Sequence, residues 1–346
     1  MKFTEVFKQT RLVAATYGTI ATKGMTATHA AITAIAAALA LAAPLGAAAQ
    51  EKIKVAGSQK GLWDATIFAY ADQAHGTFKK AGIELEVLWT SGGSDCENPV
   101  ITGSLDMCLT TGILGAITAW GKGAPIAIVA AEMTGAADIW WYAKADSGIK
   151  SMKDMNGKTL AFSRPGASSQ LLAQALVKAF GTNTKLVSAG GPAATMTQVM
   201  SGQVDAGWSA GVLGYDLIKQ GKIVRIVNGN DAPGVSTQTV RVHVANTNFL
   251  KANAPLVKRF LAAYQQSIDL AYSDPAIVQL WAKDAKVDVE TARAARDQMY
   301  PKSVLQMKKL HNIELSIQQA LEDKRLAKPP TPAQMKDLQR YVGELQ

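Results

Sequence analysis

Cysteine and histidine are scarce in this 346-residue sequence, which has two cysteines and four histidines. A zinc site needs several such ligands close together, and Cys96 and Cys108 have no histidine beside them in the sequence. After the first fifty residues only His75, His243 and His311 remain, and none of them neighbours another reactive residue. The sequence therefore predicts no metal, no cofactor and no catalytic residue.

Charge is also limited, because charged residues make up 18% of the chain. The formal net charge is +9, but no run of lysine or arginine is interleaved with aromatic residues as in nucleic-acid-binding proteins. The basic residues are scattered over predicted helix faces instead. We interpret them as a solvated surface and predict no nucleic-acid partner.

Long apolar runs are missing except near the amino terminus, where an alanine-rich stretch covers residues 30–49. Basic residues precede it and three alanines end it, an order typical of a secretory signal peptide. An uncleaved membrane anchor is the alternative, which Pro44, Gly46 and the use of alanine rather than leucine disfavour. We predict a signal peptide at 1–49 that is cleaved before Gln50, export to the periplasm, and no stable membrane insertion afterwards.

One ten-residue segment occurs twice, as GSLDMCLTTG at 103–112 and as GQVDAGWSAG at 202–211. A glycine pair precedes each copy by about three helical turns. Around both copies, strand-like runs (53–57, 84–89, 158–162 and 184–188) alternate with helix-like segments (63–80 and 168–180). This alternation is typical of parallel sheets with helices on both faces. The sequence therefore predicts an α/β fold of two similar lobes with mainly parallel sheets.

Beyond residue 244 the periodicity predicts only helices, at 256–271, 277–286, 291–299 and 304–321. We expect them to pack on the first lobe. The predicted division is residues 50–138 and 243–346 for lobe 1 and residues 139–242 for lobe 2.

Glycine and hydroxyl residues follow the predicted strands in both lobes, at the strand ends where open parallel sheets bind ligands. Helix starts attract anions, and glycine permits a close approach of ligand to backbone. Caps and turns alone are the alternative for any single residue, but six such loops facing one cleft favour binding. The predicted ligand-binding residues are Ser58, Gln59, Trp63, Ser91, Gly92, Gly93, Thr110, Thr111, Ser163, Arg164, Gly166, Ser168, Ser169, Gly190, Trp208 and Ser209, with Trp140 and Arg241 as secondary candidates.

Three side chains in this set have particular expected roles. Arg164 lies just before a predicted helix and is the expected cation for a carboxylate or sulfonate. Trp63 and Trp208 are expected on the wall of the site. Cys96 and Cys108 are free to pair after export, but their spacing does not decide whether they do.

Three motifs, WGKGAPI at 120–126, DSGIKSMKDMNGK at 146–158 and GQVDA at 202–206, resemble the nitrate/sulfonate/taurine group of ABC-transporter substrate-binding proteins. That group includes binders of thiamine pyrimidine precursors. The resemblance implies a type II periplasmic-binding fold, with crossing strands near 138–143 and 239–244, hinge closure, and ligand contacts at the predicted loops.

The resemblance implies a solute-binding protein that serves an ABC permease in the inner membrane, but it does not name the ligand. From the helix starts and Arg164 we expect a small anion such as a sulfonate, nitrate or carboxylate, and we expect a monomer. A neutral heterocycle such as a pyrimidine precursor is the alternative ligand, and presentation of ligand to a sensor is an alternative function. An enzyme of the same fold is the main rival. The segment GASSQ at 166–170 lacks the second glycine of a nucleophile elbow and a histidine partner, so we predict no enzyme activity.

Overall fold

The chain forms two five-stranded sheets in the computed structural model, which describes residues 50–344. Their order is β2-β1-β3-β10-β4 in the first lobe and β7-β6-β8-β5-β9 in the second. The strands are β1 (Glu51–Gly57), β2 (Ile83–Trp89), β3 (Met107–Gly112), β4 (Ile126–Thr134), β5 (Ile139–Lys144), β6 (Thr159–Phe162), β7 (Lys185–Ser188), β8 (Ala206–Ala210), β9 (Ile223–Asn228) and β10 (Thr239–Asn246). The predicted signal peptide lies outside the described residues.

Helices surround both sheets. Those in the described chain are α1 (Trp63–His75), α2 (Thr77–Lys80), α3 (Ser94–Ile101), α4 (Ile113–Gly121), α5 (Ser168–Phe180), α6 (Pro192–Met200), α7 (Tyr215–Lys219), α8 (Thr247–Ser273), α9 (Pro275–Ala285), α10 (Val289–Met299), α11 (Ile313–Glu322) and α12 (Pro332–Gln339). None of these helices combines the length and the apolar character that a membrane crossing requires.

The two lobes share one strand topology, which confirms the α/β fold predicted from the repeat. In the first lobe β1 pairs in parallel with β2 and β3, and in the second β6 pairs in parallel with β7 and β8. The fourth strand of each sheet is antiparallel to both of its neighbours. It is β10, between β3 and β4, in the first lobe and β5, between β8 and β9, in the second. Four strands of each sheet therefore run in one direction, as predicted, and the sheets are mixed only because the strand that enters each sheet from the other lobe runs against them.

The chain crosses between the lobes twice, through residues 135–138 and 229–238. The predicted crossing regions at 138–143 and 239–244 lie next to these segments, but most of their residues belong to β5 and β10. Since β10 pairs with β3 and β4, the return to the first sheet comes before the boundary predicted at residues 242 and 243.

Aromatic side chains join the C-terminal helices to the first lobe, as predicted. Helices α8 and α9 pack against α1. The ring of Tyr264 stacks on Phe68 with 5.6 Å between centroids, and Trp281 tilts against Trp63 at 5.2 Å. Each buried aromatic side chain removes about 150–250 Å² from water, so this contact stabilises the lobe.

Two predicted helices are shorter than expected. Gly76 adopts a φ of +62° and ends α1, so residues 63–80 form two helices. Of residues 304–321 only Ile313 onward is helical, because the preceding segment runs beside the strands. Ala131 of β4 donates its N–H to the Met307 carbonyl, and Thr239 of β10 to that of His311, both at 2.9 Å. Local periodicity does not reveal such bonds between distant segments.

A disulfide bond joins Cys96 in α3 to Cys108 in β3, which answers the question that the sequence leaves open. The two Cα atoms are 5.5 Å apart, within the usual range. The bond ties the first turn of α3 to the strand that ends at Gly112, and both lead to the space between the lobes.

The double variant Cys96→Ala, Cys108→Ala should lose about 2–3 kcal/mol of unfolding free energy, because the bond closes a short loop of the unfolded chain. Urea unfolding of the two proteins measures the difference, and wild type under reducing conditions should match the variant. Equal unfolding midpoints for the variant and the oxidised wild type would contradict the disulfide.

Candidate functional site

The carboxyl ends of the parallel strands in both sheets face one cleft, which encloses a cavity of about 30 Å³. Its wall consists of Ser58, Gln59, Leu62, Ser91, Gly92, Gly93, Thr110, Gly112, Ile139, Ser163, Ala167, Ser168, Ser169, Trp208 and Arg241. Most of these residues are ligand-binding candidates from the sequence, and their role in binding stays a prediction. Leu62, Gly112, Ile139 and Ala167 are new, and the three apolar residues with side chains among them carry no sequence signal of a site.

A larger cavity of about 440 Å³ lies between α5 and α11. Aliphatic and amide side chains make up most of its wall, and none of the glycine and hydroxyl residues at the strand ends lines it. The cleft is therefore the candidate site, since it gathers polar groups from both lobes.

The two lobes touch each other around the cleft. Gly115 donates its backbone N–H to the Gly166 carbonyl oxygen of the other lobe at 3.0 Å. The free space of about 30 Å³ is far below the roughly 300–1,000 Å³ of a typical small-molecule pocket. A solute that needs a pocket of that size would therefore fit only with the lobes further apart.

Glycine makes this contact possible. A Cβ atom on Gly112 would lie 2.5 Å from the Gly166 carbonyl oxygen and from the Ser168 amide nitrogen. One on Gly115 would lie 2.9 Å from the same carbonyl oxygen. Nonbonded carbon contacts are normally about 3.5–4.0 Å. The sequence predicted that glycine lets a ligand approach the backbone. At Gly112 and Gly115 the absence of a side chain also lets the opposite lobe approach.

Four helices begin at the cavity wall without a side-chain cap. Their N-cap residues are Leu62, Gly93, Gly112 and Ala167, and none of them accepts a hydrogen bond from its helix through a side chain. Helices α8, α9, α10 and α12 are capped by Asn246, Asp274, Asp288 and Thr331. The uncapped starts turn amide donors and the positive end of the helix dipole toward the cleft. These groups suit acceptor atoms of a solute.

Arg241 is buried beside the cavity and is already paired. Its Nη1 donates to Asp64 at 2.5 Å, its Nη2 donates to Asp138 at 2.7 Å, and its Nε lies 3.5 Å from the Ser168 hydroxyl. Burial alone would lower the pKa of Arg241, but the two carboxylates raise it. The guanidinium thus stays charged while its charge is offset by its neighbours.

The acids around Arg241 were not predicted from the sequence. Burial raises the pKa of Asp138 to about 6 against the opposing effect of Arg241, and it raises the pKa of Glu132 well above its usual range. Asp64 stands in a helix and Glu132 in a strand, and nothing in their local sequence distinguishes them from ordinary surface acids. This cluster leaves no unopposed positive side-chain charge on the cavity wall.

Arg164, the cation expected to meet a ligand, does not line the cavity. Its Nε donates to Asp95 Oδ2 at 3.0 Å, so it forms an ion pair between the lobes. Both side chains are about 40% exposed, which places the pair at the edge of the contact. Such an exposed pair contributes little to stability.

The tryptophans divide between wall and core. Trp208 lines the cavity and donates its indole N–H to the Gly190 carbonyl at 2.8 Å. Trp63 does not lie on the wall, because its ring is buried in the first lobe and donates to the Tyr272 hydroxyl. Trp140 is likewise buried and donates to the Gly211 carbonyl.

The remaining candidates hold the loops rather than line the cavity. Thr111 donates to Glu97 at 2.9 Å, and Ser209 donates to the Leu213 carbonyl at 2.6 Å. Gly166 is the partner of Gly115, as described above. On the wall itself, the hydroxyls of Ser163 and Ser169 lie 2.9 Å apart and hydrogen-bond to each other.

The buried His243 has no free role as a base. Its Nδ1 accepts the backbone N–H of Thr110 at 3.0 Å, and burial lowers its pKa to about 3. Thr110 has a φ of +58°, so this bond helps to hold the strand end in an uncommon conformation. His243 is therefore a neutral structural residue.

Two α/β lobes around a shared cleft define a periplasmic-binding-protein fold. Comparison with known proteins supports this assignment. A family model described as NMT1/THI5 like matches residues 64–277, more than half of the chain. The chain belongs to this family.

Sequence relatives and structural neighbours carry different names. The 4-amino-5-hydroxymethyl-2-methylpyrimidine phosphate synthases THI12 and THI5 of Saccharomyces cerevisiae are each 21% identical over 225 residues, 60% of this chain and 63% of theirs. The chain thus matches less than two thirds of the length of these curated relatives.

The structural neighbours include the periplasmic aliphatic sulphonate binding protein SsuA from Escherichia coli, with a TM-score of 0.64 and 19% identity over 84% of this chain and 92% of that one. The periplasmic nitrate-binding protein NrtA from Synechocystis PCC 6803 has a TM-score of 0.66 and 13% identity over 85% and 86%. These similarities confirm the fold and the family resemblance predicted from the motifs.

The variant Gly112→Ala should prevent full closure of the lobes, because its methyl group would meet the backbone at residues 166–168. Gly112 has a φ of −67°, so alanine fits its backbone and folding should be preserved. We expect at least about a tenfold loss of affinity for any solute that wild type binds, measured by titration calorimetry.

The matched control is Gly191→Ala, also at a helix start with a φ of −68°, whose Cβ would make only an ordinary contact of 3.5 Å, with the Gln59 side chain. It should bind an anion nearly as wild type does. Equal affinities for the Gly112 variant and wild type would contradict a closed state with this contact.

The buried Glu97 should make the free energy of unfolding depend on pH. Burial raises its pKa to about 8, although the bond from Thr111 lowers it. The folded protein therefore binds more protons than the unfolded chain between about pH 4.5 and 8, and stability falls with rising pH by about 1.4 kcal/mol per unit at most. Glu97→Gln should remove this loss, so its advantage over wild type grows from pH 5 to pH 8.

Urea unfolding at pH 5, 6.5 and 8 measures that difference, with the exposed Glu290→Gln as the control. A difference between Glu97→Gln and wild type that does not change with pH would show that Glu97 ionises normally in the folded protein.

Proposed function

We propose that the chain is the extracytoplasmic solute-binding protein of an ABC importer, which captures a small solute between its lobes by hinge closure in the periplasm. One observation carries the proposal. Strand ends and uncapped helix starts of both lobes meet at a cavity that is small for a solute, beside a backbone contact between the lobes. A receptor that releases its cargo to a permease needs such reversible enclosure.

A small anion such as a sulfonate, nitrate or carboxylate is our first candidate for the solute. The charge of Arg241 is offset by Asp64 and Asp138, and Arg164 pairs with Asp95. The anion would therefore be held by amide groups at the helix starts and by hydroxyls such as Ser58 and Ser91. This is how helix amino termini bind anions without a side-chain cation.

An aminopyrimidine or similar heterocycle is the second candidate, and a different observation favours it. The side-chain oxygen of Gln59 is buried at the cavity wall and has no hydrogen-bond partner in the described chain. A buried acceptor normally has a donor, which an exocyclic amino group supplies. Trp208 offers an aromatic face beside it, and the sequence relatives are named for pyrimidine chemistry.

We propose binding rather than catalysis. Ser168, at the nucleophile position of the segment that resembles an elbow, has Arg241 Nε 3.5 Å from its hydroxyl rather than a histidine, and the neighbouring Ser169 pairs with Ser163. His243 is neutral and committed to a backbone bond. An acyl-transfer enzyme needs a nucleophile beside a base, which this cleft does not assemble from its described residues.

Thermal unfolding of residues 50–346 with sulfonates, nitrate, carboxylates and aminopyrimidines tests the proposal. The right class should stabilise the fold by about 2.7 kcal/mol at a hundredfold excess over its Kd. Gln59→Leu separates the two candidates, because it should abolish the shift with aminopyrimidines and leave the shift with anions. If no class shifts the transition, the solute-binding proposal for this cleft is wrong.

A further inference from the structure

The C-terminal segment 313–326, which we call the clasp, lies beyond the region matched by the family model and docks on the first lobe. Its helix α11 packs on α4. Gln238 of the second crossing segment donates its side-chain N–H to Ser316 at 2.7 Å. Leu326 is buried against Gly121 at the end of α4. The clasp is thus fixed to the first lobe at two places.

The clasp reaches the second lobe through polar contacts. Lys178 of α5 bonds to Glu322 at 2.8 Å, and Arg325 Nη2 donates to Gln170 Oε1 at 2.7 Å. The 440 Å³ cavity separates α5 from α11 between these contacts, so that face is not packed like a core. These two polar contacts are therefore the main direct links between the clasp and α5.

Gln170 connects the clasp to the cleft. Its Oε1 accepts the bond from Arg325 and also accepts the Gly166 backbone N–H at 2.8 Å. The carbonyl of Gly166 accepts the Gly115 N–H from the first lobe at 3.0 Å. One chain of hydrogen bonds therefore runs from Arg325 to the contact that closes the cleft.

Arg325 is suited to hold Gln170 in place. Its side chain is 17% exposed, and its Nε lies 3.5 Å from Asp323 Oδ2. Its backbone N–H bonds to the Ala320 carbonyl at 2.7 Å, which anchors it to the end of α11. A bond from a charged donor polarises its amide acceptor and is stronger than a neutral one.

We propose that Arg325 is a positioning residue for lobe closure, which orients Gln170 and through it the loop 165–167 against Gly115. The contact then raises the fraction of closed molecules in the solute-free protein. Its consequence for solute affinity rests on the function proposed above, but its effect on the lobes does not.

Hydrogen exchange at the Gly115 amide tests the inference without a ligand, because that N–H is bonded only when the lobes meet. Arg325→Ala should lower its protection about fivefold, since a partly exposed charged bond is lost. Arg325→Lys should restore part of it. Gln170→Glu should raise the protection, because a carboxylate accepts both bonds and pairs with the Arg325 charge.

Two controls make the result specific. Arg340→Ala removes an exposed arginine from the same tail and should leave Gly115 unchanged. The amide of Val55 in β1, which is paired on both sides, should keep its protection in every variant. Unchanged Gly115 exchange in both the Arg325→Ala and Gln170→Glu variants, or an equal loss at Gly115 and Val55, would overturn the inference. A failed solute screen would leave it standing and count against the proposed function alone.

Discussion

The hydrogen bond from Gly115 to Gly166 marks the constraint on which the rest of the site depends, which is that the two lobes meet backbone to backbone. Side chains at Gly112 or Gly115 would hold the lobes apart and leave the cleft open to water. With glycine there, the uncapped helix starts of both lobes come within reach of one small volume. Recognition by amide groups is effective only when water is excluded from around them.

A second interaction fixes how the lobes can move. Arg241 on the returning strand binds Asp138 at the outgoing crossing and Asp64 in the first lobe. Burying these charges is costly, and their mutual attraction and hydrogen bonds offset that cost. The cluster thus holds both crossing segments together at the hinge, while amides and hydroxyls line the cavity. The charged side chains thus stabilise the crossing segments, and the helix dipoles point their positive ends at the cleft.

The sequence predicted the fold well, because its information is periodic and repeated. The two copies of one motif indicated two lobes, and glycine and hydroxyl residues at strand ends indicated the cleft. The sequence did not predict which side chains contact each other, because these contacts join residues that are far apart in the chain. Arg164 meets Asp95, and Trp63 faces inward because α9 covers it. The missing caps at the cleft are noticed only by comparison with the capped helices α8, α9, α10 and α12, although α11 also begins without a side-chain cap.

Small-angle X-ray scattering of residues 50–346 tests the central claim most directly, with and without the solute that raises thermal stability most. We expect the radius of gyration of the protein to fall, when it is saturated with solute, to the value calculated from the closed structure. A solute that binds tightly and leaves the scattering curve unchanged, with the lobes still apart, would contradict closure through the glycine contact.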